Sequence, residues 1–225
     1  MKLLALLAAI LLPPQEKNEA EALFKKMEEK LAKATSITAK VKGSIEQKML
    51  TLEVEAEIHL AEGNRARGAF TLTSDAQTLT SGVVSDGKTT HVTPTQGPAQ
   101  TFATLDKLGP LLAGTYGRGG VVTTIGMLNN SRVGPADLDS KAPVKDFKMG
   151  AKEKVGDRDT QAVEFKLTLG KEADIEVTVW IDLATHLPVK RTMKSTKNTI
   201  QETTVDVKLD EKIDPAKFEL PKPAK

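Results

Sequence analysis

ADIEVTVWIDLATHLPVKRTMKS, residues 173–195, reads as two strands around a tight turn. Ile175, Val177, Val179 and Ile181 fall on one face, and Glu176, Thr178, Trp180 and Asp182 on the other. A period of two in β-branched residues marks a half-buried strand. Residues 182–186 carry turn chemistry, and Pro188 opens the next run, where its missing N–H is not needed. Leu187, Val189, Arg191 and Met193 then alternate with Lys190, Thr192 and Lys194. The hairpin has one apolar face and one charged face, and most of the chain repeats that plan.

Upstream, Ile37, Ala39, Val41, Gly43 and Ile45 alternate with polar residues, as do Leu52, Val54, Ala56, Ile58 and Leu60. A turn at Glu62-Gly63-Asn64 leads into Ala66, Gly68, Phe70 and Leu72. Residues 78–85 form a further strand, joined through Asp86-Gly87 to residues 88–93. Strands resume over 144–155, turn at 156–159 and continue through Val163, Phe165, Leu167 and Leu169. A last strand, 200–209, sets Val205, Val207 and Leu209 against Thr204, Asp206 and Lys208. Neighbours in sequence should be neighbours in an antiparallel sheet.

Two stretches depart from this plan. Residues 16–34 place Ala20, Leu23, Phe24, Met27, Leu31 and Ala34 on one helical face, with Glu early and Lys30 and Lys33 late, as the helix dipole favours. Residues 94–139 hold two short apolar stretches, at 105–112 and 121–128, interrupted by Gly109-Pro110, Gly114, Gly117, Gly119 and Gly120. They read as short helices on glycine joints, too apolar for a solvated loop. A sheet that is apolar on one face needs such a cover.

The 225 residues suffice for one sizeable core, mainly aliphatic because aromatics are 4%. Net charge is +2 without a basic block, which argues against a nucleic-acid partner. Without cysteine there is no disulfide, thiolate metal site, thiol catalysis or acylated N-terminal cysteine. Met1-Lys2 followed by the apolar run 3–12 and Pro13-Pro14 suits a signal peptide over residues 1–15, and is too short to span a bilayer. The expected location is periplasmic or secreted, with residues 16–225 as a single domain.

No stretch has catalytic spacing. His59, His91 and His186 stand apart and read as surface or turn residues, so no metal or cofactor is expected. Ser85 lacks a nucleophile-elbow frame. Residues 114–120 resemble a phosphate loop only in composition, and read better as a flexible hinge. Glu53, Glu55 and Glu57 share a face, most simply a solvated one. Trp180, on the polar face, reads as packed under a tail, the alternative being a contact surface.

The order of elements, with the turn Ser85-Asp86-Gly87-Lys88-Thr89, the segment Trp180-Ile181-Asp182 with Thr185-His186-Leu187-Pro188, and the ending Asp214-Pro215-Ala216-Lys217-Phe218, resembles the lipoprotein-carrier (LolA/LolB-like) superfamily. The resemblance spans nearly all of residues 16–225. It implies a mainly β fold with α: a curved antiparallel sheet, an unclosed β-barrel, covered on its concave face by an N-terminal helix and short lid helices inserted at 95–139. It also implies an apolar cavity for acyl chains of lipoproteins or other lipids. Two features depart from the carriers: Leu60 to Asn64 stands where they hold a lid-binding Arg-Pro, and the early strands are poor in aromatics.

The implied lining is Leu105, Leu108, Leu112, Val122, Ile125 and Leu128 from the lid, with Val41, Val54, Ile58, Phe70, Val177 and Val179 from the sheet. A non-catalytic monomeric carrier making transient membrane contact is the expectation. The alternative is an envelope sensor or assembly module of the same fold, with a protein partner and a filled core.

Overall fold

The computed structural model describes residues 18–48, 50–129, 138–169 and 174–221. The signal peptide expected at 1–15 lies outside them. The first helix, α1 (Glu19–Lys33), begins where the Asn18 side chain accepts the amides of Ala20 and Glu21. It buries Ala20, Phe24, Met27 and Leu31, the expected stripe.

Six strands follow: β1 (Ser36–Gln47), β2 (Leu50–Ala61), β3 (Arg65–Thr73), β4 (Thr78–Asp86), β5 (Thr89–Thr93) and the short β6 (Gln100–Ala103). Helices α2 (Leu108–Asn129) and α3 (Leu138–Lys141) lead to β7 (Val144–Val155), β8 (Arg158–Leu167), β9 (Ile175–Asp182), β10 (Pro188–Lys194) and β11 (Thr199–Leu209). A 3-10 turn, Pro215–Phe218, is the last element.

All eleven strands form one antiparallel sheet, ordered β6-β5-β4-β3-β2-β1-β11-β10-β9-β8-β7. The two meanders are zipped together by β1 and β11, with Ile37 opposite Leu209 and Ile45 opposite Ile200. The edge strands β6 and β7 do not pair, so the barrel stays open. The chain must cross between those edges, and it does so through α2 and α3, over the face that α1 also covers. Phe24 of α1 stacks on Phe165 and Phe147, with ring centroids 4.8 and 5.1 Å away. The exposed edge β7 is broken by two register shifts and carries Lys145, Lys148, Lys152 and Lys154, which discourage edge-to-edge pairing.

Three expectations are corrected. The stretch 105–128 is not a set of helices on several joints: α2 runs from Leu108 to Asn129 with one break, at Gly120 (φ 78°, ψ −172°), and Leu105 precedes it. Gly114 and Gly117 instead allow close approach: a Cβ on Gly114 would collide with Leu138, and one on Gly117 would sit 3.3 Å from Leu31. The second correction is the face assigned to Val205. A register shift opposite Lys40 and Val41 makes it the extra residue of a bulge, 56% exposed, while Ile200, Glu202 and Thr204 lie opposite the inward-facing Ile45, Gly43 and Val41. Third, the turn between β7 and β8 is only Gly156-Asp157, with Arg158 and Asp159 already in the strand.

Candidate functional site

The covered face of the sheet is largely apolar, interrupted by the buried Arg191–Glu202 pair. Val41, Val54, Ile58, Val177 and Val179 are buried there, together with Leu108, Leu112, Ile125 and Leu128 of α2. Phe70, Leu105 and Val122 are half-buried against the same cluster. The structure therefore brings all twelve residues together, nine of them fully packed.

The end where α1 finishes and α2 begins carries a surface recess. A cleft of about 320 Å³ is lined there by Leu31, Ala34, Ile37, Leu60, Pro110 and Ala113, with Glu62, Gly63 and Asn64 also in its wall. Leu31, Ile37 and Leu60 belong to both the cleft and the core, so the cleft floor is the edge of the buried face, and none of the twelve residues above lines it. Asn64 shapes this end: its side-chain oxygen accepts the Gly109 amide, and its carbonyl accepts the Ser85 hydroxyl. Asp86 accepts the amides of Lys88 and Thr89, both at 2.8 Å, closing the neighbouring turn. Lys30 at the end of α1 donates to the Thr185 carbonyl of the β9–β10 turn. The quoted turn motifs thus act as local hydrogen-bonding chemistry.

A larger groove, about 550 Å³, runs along β7 to β10; Phe147, Phe165 and Val177 reach it, but Asp146, Lys148, Glu164, Lys166, Glu176 and Lys194 line it too. Seating an apolar chain there would desolvate charges of both signs, so the smaller apolar cleft is the better ligand site.

Two arginines inside the molecule were not singled out by the sequence reading. Arg118 joins the helices: Nε donates to Glu28 at 2.7 Å, Nη2 to Asp139 at 2.6 Å and Nη1 to the Ala142 carbonyl at 2.8 Å. Arg191 and Glu202, cross-strand partners on β10 and β11, are both buried beneath the break in α2. Burial pushes the Glu202 carboxyl up and the Arg191 guanidinium down, against the pull each exerts on the other. Tyr116 is buried beside them, and burial pushes its phenol up. The sequence signal was present for Arg191, a cation in an apolar alternation. Glu202 gave none, because the bulge that turns it inward is not written in the pattern.

His59 is corrected from surface to buried. Its Nδ1 meets the Thr38 hydroxyl at 3.2 Å, and its Nε2 meets Glu57. Burial holds its imidazole below the ordinary value, with Lys217 and Arg67 adding to the effect against the pull of Glu57. Burial raises the Glu57 carboxyl, but His59 and Lys40 outweigh it and hold it low; with His59 neutral at pH 7, Lys40 at 3.2 Å is the partner that counts. The tail reaches this cluster: Arg67 donates to the Lys217 carbonyl, and Phe218 is buried under Arg65. Thr38 hydroxyl, His59 imidazole and Glu57 carboxylate thus form one hydrogen-bonded row across β1 and β2.

His91 contacts Thr101, and His186 sits in the β9–β10 turn with φ 54°. Among the described residues no group of three or more His, Cys, Asp or Glu could hold a metal. Glu55 and Glu57 pair across strands with Lys42 and Lys40, and Trp180 is half-buried under the Lys190 ammonium, 4.2 Å from its ring.

No protein-family model matches the chain, and no curated protein matches it in sequence. Among solved structures it is similar to LprF from Mycobacterium bovis, at 12% identity and a TM-score of 0.52, with 92% of this chain and 98% of that one covered. The lipoprotein LppX from Mycobacterium tuberculosis matches at 16% identity and a TM-score of 0.48, covering 86% and 98%. A LolA superfamily protein from Nitrosomonas europaea matches at 11% and 0.36, covering 89% and 97%. At such identities the likeness to LprF is one of fold alone, in keeping with the open antiparallel half-barrel expected above.

Proposed function

We infer that this chain is a non-catalytic carrier that takes an acyl chain, free or on a lipoprotein, into the space between α2 and the sheet, in the periplasm or outside the cell. The observation that carries this reading is the apolar cleft between α1, α2 and the β1–β2 end, whose floor is the edge of the buried apolar face. At about 320 Å³ it holds the end of a chain. That is about twice the engineered apolar cavity of roughly 150 Å³ that accepts benzene. A whole chain needs the interior beneath α2, lined by the twelve residues above. Among the described residues no helix is long and apolar enough to cross a membrane, and membrane contact in this reading is transient.

The test is native purification followed by solvent extraction and mass spectrometry, with displacement of a fluorescent fatty acid. Ala113→Trp, which fills the cleft, should weaken displacement while circular dichroism stays unchanged. One observation favours a second reading: nine of the twelve lining residues are already packed. If no lipid co-purifies and no probe binds, the interior is a filled core and the protein is an envelope sensor or assembly module that binds a protein partner.

A further inference from the structure

After β11 the chain crosses the outer face of the sheet, the side turned away from α1 and α2. The crossing has a fixed root. Asp210 accepts the Thr35 amide and hydroxyl at 2.8 and 3.0 Å, and the Ser36 hydroxyl donates to the Glu211 carbonyl at 2.6 Å. Beyond the root, residues 212–221 form a strap held at its far end. Asp214 caps the 3-10 turn by accepting the Ala216 amide, and the turn packs on β3 and β4. Phe218 is the one buried residue of 212–221, its ring centroid 5.4 Å from the Arg65 guanidinium. Arg67 donates to the Lys217 carbonyl at 3.3 Å, and the Lys217 ammonium lies 3.9 Å from Glu57. A single buried ring does little to offset the entropy of ordering the segment, so the strap is readily lifted.

Beneath it lies a buried histidine. His59 stands opposite Thr38 on β1 and Arg67 on β3, and Arg67 in turn stands opposite Val84 on β4. The charges around it come from each neighbouring element: Glu57 on its own strand, Lys40 on β1, Arg67 on β3 and Lys217 on the strap. His91 and Glu219 meet farther along, where Arg67, Val84 and Pro221 share a small cleft with them. Glu57 already serves two ammonium groups, Lys40 at 3.2 Å and Lys217 at 3.9 Å. A proton on His59 adds a cation below a cationic strap and draws Glu57 away from Lys217. Linkage makes the effect mutual: a strap that buries His59 and opposes its proton is itself opposed by that proton.

We propose that the strap is an acid-released cover: protonation of His59 lifts residues 212–221 off the outer face, while the root at Asp210 and Glu211 holds. The contacts that are lost, at Lys217 and Phe218, lie on the part that moves. Release bares the seat of Phe218 beside Val84, Arg65 and Arg67, and frees the tail. The device does not depend on what the cleft between α1 and α2 binds.

Hydrogen exchange by mass spectrometry on the whole chain, corrected for the intrinsic rate at each pH, tests the strap. Between pH 7.5 and 5.5 the bonded amides of Ala216, Lys217 and Glu219 should lose at least threefold of their protection, while β1 and β11 keep theirs. The loss is bounded at about tenfold, because pH 5.5 is one unit below the ordinary histidine value of 6.5. His59→Asn should remove the step, and His91→Asn should leave it. A strap unchanged at pH 5.5, equal loosening of strap and sheet, or a step that survives His59→Asn overturns the proposal. The first two results need no variant to fold. An NMR titration of His59 in Phe218→Ala gives the reciprocal reading. With the strap loosened, the His59 midpoint should rise toward 6.5, and a midpoint that stays or falls overturns the proposal as well.

Discussion

Substituting alanine for glycine along α2 separates joints from close approaches. Alanine in a helix interior gains about 0.8–1.0 kcal/mol over glycine when nothing else changes. At Gly109 the new methyl would meet its nearest neighbour, the Asn64 side-chain oxygen, at 3.8 Å, an ordinary contact. Pro110 follows, however, and its ring crowds a Cβ on the residue before it in the helical region, which offsets the gain, so Gly109→Ala should change stability by less than about 1 kcal/mol. At Gly117 the methyl would sit 3.3 Å from a Leu31 δ-methyl, which must yield by a few tenths of an ångström, so the two effects nearly cancel. At Gly120 the balance reverses. A left-handed backbone costs a non-glycine residue about 1–2 kcal/mol, and forcing a methyl against a buried ion pair adds about 1–3 kcal/mol. The expected losses for Gly120→Ala are about 2–5 kcal/mol. Urea denaturation followed by circular dichroism gives each value, provided the slope with denaturant is unchanged. If Gly120→Ala lies within 1 kcal/mol of the parent, or if Gly109→Ala is the more damaging of the two, the assignment of a single break in α2 is wrong.

Stability should fall as pH drops below 6.5, the ordinary value for histidine, because burial holds His59 lower in the folded state and the unfolded chain then binds the proton more readily. The loss levels off below the folded-state value, and His59→Asn should flatten this part of the curve; urea midpoints between pH 7.5 and 5 check it, and an unchanged slope in the variant refutes it. Arg118→Met removes three hydrogen bonds, two of them to carboxylates, and should cost about 2–4 kcal/mol in the same assay; a loss below 0.5 kcal/mol would show that the helices do not depend on this junction. For the carrier reading, each added methylene contributes about 0.8 kcal/mol, so displacement by saturated fatty acids should improve about fourfold per carbon until the cleft is full. Affinity independent of chain length would count against an apolar site.

Much of the fold was legible because its determinants are local. A strand with one buried face must alternate, as Ile175 to Ile181 does, and Asp86, Asp182 and Asp214 close turns with amides two or three residues away. The stripe Ala20, Phe24, Met27 and Leu31 declares its helix in the same way. What depends on partners distant in sequence was not legible. A bulge at Val205 shifts the alternation by one, so Glu202 faces inward although the pattern of Val205, Val207 and Leu209 set the opposite frame. Gly114 and Gly117 look like joints until Leu138 and Leu31 are seen against them. His59 stands among strand carboxylates and is buried because the tail at Lys217 and Phe218 folds back over its neighbours. Local chemistry settles which residues form strands and turns; only tertiary structure sets register, close approach and burial, because each needs two segments to meet.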